Sequence, residues 1–147
     1  MKFTLIYGMA GAGMLFTACV TATGPLNKPG RISDAPEKYM RMINPEILTA
    51  EKLSYYQNQF LTKCARCHGE KGDGVGQDSG LMGVPMPNFS DPEFMKQIMD
   101  GEIYYQIENG GEDKSAMPAF GLDSAQGWSE EKIWNMVAYV RSLAASP

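Results

Sequence analysis

Histidine is almost missing from this chain, with His68 the single example in 147 residues, and cysteine is limited to Cys19, Cys64 and Cys67. A structural zinc site takes four protein ligands. With Cys19 far off in an apolar leader, at most three candidates stay together, two of them adjacent, which excludes zinc. Alternating strand patterns are lacking too, and this removes the strand and βαβ setting that a thioredoxin-type disulfide requires. Basic residues are outnumbered, 13 Lys plus Arg against 17 Asp plus Glu for a net charge of -4, and they form no run. That balance argues against a nucleic-acid surface. No Gly-Lys-Ser/Thr closes the one glycine-rich stretch, so a phosphate loop is excluded. No acid-base pair or nucleophile stands out, and no small-molecule substrate is expected.

What is present is concentrated in Cys64-Ala65-Arg66-Cys67-His68-Gly69, two thiols and an imidazole within one short run. Cys-x-x-Cys-His is the attachment signature of a c-type haem. On this reading Cys64 and Cys67 become thioethers to the porphyrin, which removes their redox chemistry, and His68 ligates the iron.

The length allows one domain with attachments. Met1 to Val20 carries a single charge, Lys2, and Phe3 to Val20 is apolar or small throughout, the pattern of an export segment. Its end, Leu15-Phe16-Thr17-Ala18-Cys19, resembles a bacterial lipobox, which implies a leader over residues 1–18 and a lipid on Cys19. Phe16 departs from that pattern, where Leu is usual. An ordinary cleaved signal and an uncleaved helix of about eighteen apolar residues, barely long enough to span a bilayer, are the alternatives. All three export the domain, as suits a covalent haem, to the periplasmic face of a bacterial membrane. Residues 19–48 then read as a tether: Pro25, Pro29, Pro36 and Pro45 interrupt any periodicity. Flexible chain of this length spans roughly 30 Å. Within it, Tyr39-Met40-Arg41-Met42-Ile43 is too apolar for a pure spacer and is expected to dock on the domain or on another subunit.

From Thr49 the pattern turns helical. Thr49 caps a helix whose Leu53, Tyr56 or Gln57, Phe60 and Cys64 recur at three- and four-residue steps. The loop Gly69 to Gly76 is expected to let backbone pass close to a flat ligand. Asp91-Pro92-Glu93 is a compact helix start, with Gly101 as the stop, and a further helix is expected over about 102–109. The last begins at Ser129 and buries Ile133, Met136, Val137, Val140, Leu143 and Ala144, flanked by Trp134 and Tyr139. The domain, residues 49–147, is all-α.

A lone histidine excludes bis-histidine ligation within one molecule, so the second axial ligand is sought among methionines. Met-Pro-x-Phe occurs twice, at Met86-Pro87-Asn88-Phe89 and Met117-Pro118-Ala119-Phe120. Met117, in an irregular stretch before the last helix, is better placed to cover the far face of the ring, and Met86 to line its edge; both stay open here, as does a site without methionine. Met95, Met99 and Met136 read as core packing.

Residues 49–145 resemble the class I monohaem cytochromes c. The likeness rests on a helix ending in Cys64 to His68, the Gly69 to Gly76 loop, Pro87-Asn88-Phe89-Ser90-Asp91, the Met117-Pro118-Ala119-Phe120 loop, and Trp134 with Tyr139-Val140-Arg141. It implies a compact α-helical fold with first and last helices crossing, one haem c, and His68 and Met117 on opposite faces. Tyr56 departs from the glycine many relatives have where those helices cross. A haem closed on both faces exchanges only an electron. The resemblance therefore implies an electron carrier rather than an enzyme, either membrane-anchored and free or the monohaem subunit of a respiratory, quinol-oxidising complex, with redox proteins as partners. An open-site haem enzyme or gas sensor is the alternative if Met117 does not ligate.

Overall fold

The computed structural model describes residues 34–111 and 117–145. The expected leader, Cys19 and the tether as far as residue 33 lie outside the described residues. Every regular element within them is helical, and the fold is all-α.

Local sequence explains the main helices. Helix α2 (Ala50–Lys63) starts where the Thr49 side chain accepts from the Lys52 amide. Its buried face is Tyr56 and Phe60; Leu53, placed on that face by its spacing, is exposed. The Cys64–His68 motif continues it as a single turn, α3 (Ala65–His68). Asp91 caps α4 (Pro92–Met95), accepting from the amides of Glu93 and Phe94. After α5 (Asp100–Asn109), Ser129 accepts from Lys132 and opens α6 (Glu130–Leu143). Helix α6 buries Ile133, Met136, Val137 and Val140 of the stripe its periodicity predicts together with the flanking Trp134 and Tyr139, while Leu143 and Ala144 are half-buried and pack against the core.

Helices α2 and α6 pack on each other, and α5 packs on α6. Phe60 meets Tyr139 at 5.4 Å between ring centres across the first of these contacts. The bulky Tyr56 does not disrupt it: the side chain is buried, edge-on to Tyr55. Arg141 fastens the turn between α4 and α5 to α6, its Nε donating to Asp100 at 2.7 Å and its terminal nitrogens to the carbonyls of Met95 and Ile98.

Two expectations need correction. Gly101 does not stop the α4 helix, which ends at Met95; it is the second residue of α5. A Cβ there would lie 1.7 Å from the Tyr39 carbonyl oxygen, so the glycine serves a close tertiary approach. The other concerns residues 34–48 within the expected tether, of which only Tyr39–Ile43 is expected to dock, on the domain or on another subunit. They pack on their own domain as a strap built around α1 (Glu37–Met40). Ala35 is buried, and Tyr39, Met42 and Leu48 pack against the core. Asn44 donates to the Trp134 carbonyl at 2.9 Å, and Glu46 accepts from Lys52 at 2.7 Å and from Asn135 at 3.1 Å. The prolines suppress helical periodicity without preventing these side-chain contacts, which is why composition alone reads as spacer.

Candidate functional site

The motif turn is helical: the amides of Cys67 and His68 both bond back to the Cys64 carbonyl, at 3.1 and 2.9 Å. Residues three and four apart share a helix face, and Cys64, Cys67 and His68 accordingly line one cavity together. Behind them the chain passes so close that a Cβ on Gly76 would lie 2.4 Å from the Arg66 carbonyl oxygen. This glycine lets the loop pack on the motif turn. Asp78 holds the same loop to the motif through a 2.5 Å ion pair with Arg66.

The cavity measures about 580 Å³, within the range of sites that enclose a cofactor-sized ligand. Its walls are apolar: Phe60 from α2, Ile103 and Ile107 from α5, Met136 and Val140 from α6. Lys63 and Gln106 are among the few polar groups on it. Met117 lines it, and so do Met82, Met86 and, from α6, Met136, so four methionines share the same space.

The two Met-Pro-x-Phe segments occupy different parts of the wall. The Phe89 ring stacks on His68 at 5.1 Å and 25°, and the Phe89 amide donates to the Gly72 carbonyl at 2.7 Å. Met86, three residues earlier, thus belongs to the loop that cradles the imidazole. Phe120 instead stacks against Trp128 at 4.7 Å, and its amide bonds to Ile107 on α5. Met117 therefore enters from the α5–α6 connection. Sequence reasoning assigned no role to Phe89 or Phe120, although each closes a Met-Pro-x-Phe repeat, and that repeat was the signal.

Burial sets the protonation of the motif. It pushes the His68 imidazole down to about 4 and the Cys64 thiol up to about 12. At neutral pH His68 is therefore neutral and keeps a lone pair for a metal. Its Nδ1 is buried without a hydrogen-bond partner. An apolar cavity with a neutral imidazole and two free thiols on one wall fits a haem tethered at that wall. Cys19, the fifth expected site residue, lies outside the described residues. Among the described residues no helix is long and apolar enough to cross a membrane.

Comparison with curated proteins finds no match. Among solved structures the chain is similar to the Kuenenia stuttgartiensis reducing HAO-like protein complex Kustc0457/Kustc0458, with a TM-score of 0.54 and 21% identity over 67% of this chain. The chain spans about half that structure's length, 46%. The c-type cytochrome KustC0563 is 26% identical over 59% of this chain and 94% of its own, with a TM-score of 0.47. The family model described as Cytochrome c matches residues 57–144, from the middle of α2 to the end of α6. The chain belongs to the cytochrome c family, and its cofactor is covalently bound haem c.

Proposed function

We propose that this chain is a single-haem electron carrier in which Cys64 and Cys67 hold the haem, His68 ligates one face of the iron and Met117 the other. The observation that carries the reading is the cavity itself, with the thiols and imidazole on one wall and Met117 arriving from the α5–α6 connection. Met86 is the weaker candidate because its segment is fastened beside His68, through Phe89. The cofactor supplies reversible one-electron exchange at its iron.

The protein's part is to fix both axial groups and to exclude water. Phe60, Ile107, Met136 and Val140 surround the site with hydrocarbon, which disfavours the more highly charged oxidised state and so raises the potential, as does thioether ligation. With His68 and Met117 both bound to the iron, no position would remain for oxygen or substrate, and electron transfer rather than catalysis would be the activity.

The leader and the lipobox-like run ending at Cys19 support an exported, lipid-anchored protein on the periplasmic face of a bacterial membrane. There it serves redox proteins, either as a free carrier or as a subunit of a respiratory complex. Absorption spectroscopy tests the closed site: a haem that survives acid–acetone extraction and whose ferrous form binds carbon monoxide only slowly is expected. Rapid carbon monoxide binding would establish an open-site haem protein instead.

A further inference from the structure

The strap and the outer face of α5 gather redox-active side chains that the haem cavity does not use. Tyr105 and Tyr39 lie edge to face with ring centres 4.8 Å apart, Tyr39 and Tyr104 stack at 6.1 Å, and Tyr104 meets Trp134 at 4.3 Å. All three spacings are within or close to aromatic contact range. The row runs outward. Tyr104 and Trp134 are buried, and Tyr39 and Tyr105 are half-buried on the outside of the domain. Ile103 and Ile107, on the same helix as Tyr104, line the haem cavity, whereas Tyr104 and Trp134 themselves do not.

Carboxylates supply what oxidation of such a row requires. Tyr39 donates to Glu108 Oε2 at 2.6 Å, and Tyr104 donates to Glu108 Oε1 at 3.3 Å. The Trp134 indole donates to Glu130 at 3.3 Å. An oxidised phenol that kept its proton would be a cation in a half-buried place, which is costly. A base at 2.6 Å is within direct proton-transfer reach. Burial and the Glu108 carboxylate both raise the Tyr39 phenol above its ordinary value, so the proton stays on oxygen until an electron leaves.

We propose that Tyr39 and Glu108, continued inward by Tyr104 and Trp134, form a proton-coupled redox site that carries oxidising equivalents between the buried side of α5 and the strap face. A high-potential one-electron oxidant of the metal(III)–polypyridine class gains one electron from the row. Tyr39 loses that electron and its phenolic proton, which moves to Glu108 Oε2 and leaves a neutral phenoxyl beside a carboxylic acid. No bond between heavy atoms is made or broken. A small one-electron reductant of the ascorbate class returns the electron, and the proton goes back to oxygen.

The test uses the full holoprotein and flash-generated ruthenium(III) tris-bipyridine as oxidant, read by freeze-quench electron paramagnetic resonance. A tyrosyl signal is expected in the unmodified chain, formed more slowly in deuterium oxide. Tyr39→Phe, which keeps the ring, should lower its yield at least threefold, and Glu108→Gln should slow its formation and remove the isotope effect. An unchanged yield in Tyr39→Phe, or a tryptophanyl signal that persists in the unmodified chain, would overturn the proposal. Because signal identity and isotope effect are read on the unmodified protein, a variant that fails to fold leaves the proposal exposed to refutation.

Discussion

Met117 and Met86 carry the same thioether into the same cavity, and what separates them is the wall each belongs to. Met117→Ala is expected to open the site, so that carbon monoxide binds the ferrous protein at least tenfold faster, while Met86→Ala leaves it closed; the reverse result would exchange their roles. Glu46 offers a pH readout on the strap. The Lys52 ammonium beside it, through a hydrogen bond and its charge, holds its carboxyl below the ordinary value of 4.5. A depressed carboxyl contributes stability that is present above the unfolded value and lost as pH falls through the folded one. Glu46→Gln should therefore lower the melting temperature at pH 7, and the gap from the unmodified protein should close below about pH 4.5.

At the scale of the element, the strap and α5 are coupled through Gly101. An alanine inside a helix is ordinarily favoured over glycine by about 1 kcal/mol. Forcing a methyl against backbone in a packed interior costs roughly 1–3 kcal/mol or more, and at 1.7 Å from the Tyr39 carbonyl oxygen the second effect wins. Gly101→Ala should lower the melting temperature by several degrees. In a chain lacking residues 34–48 the same substitution should be neutral or stabilising, and calorimetry on the four variants reads the coupling. The same contact explains where the sequence was legible. Thr49, Asp91 and Ser129 were readable as caps because a cap is settled within four residues. The α6 stripe was readable because its period is local. Of the strap only the apolar run Tyr39–Ile43 was readable as a docking segment; Gly101 and the rest of residues 34–48 were not, because what they do depends on partners 56 to 90 residues away, as with Asn44 on Asp100 and on Trp134. The motif turn announced itself, whereas Phe89 stacking on His68 required the loop to close.

For the molecule as a whole, the fold is that of its family with an N-terminal addition folded onto it. On the proposed lipid anchor, where this unit resides would turn on Cys19. Cys19→Ser is expected to move the protein from the membrane fraction to the soluble periplasmic fraction without changing its haem spectrum. A protein that stays with the membrane through this change would owe its location to an uncleaved leader or to a partner complex, and copurification after detergent extraction tells these apart.

The packing of α2 against α6 also bears on how the chain closes around its cofactor. The helix that leads into the thiols closes on a helix far along the chain, and the strap, whose α1 packs on α5, adds its Asn44 and Glu46 contacts to the same helix. Contacts so distant in sequence form late. Until α6 arrives, the cavity lacks Met136 and Val140 and the walls around Cys64 and Cys67 are incomplete. A planar macrocycle reaches both sulfurs more readily before that closure, so α6 is expected to dock after the haem is attached.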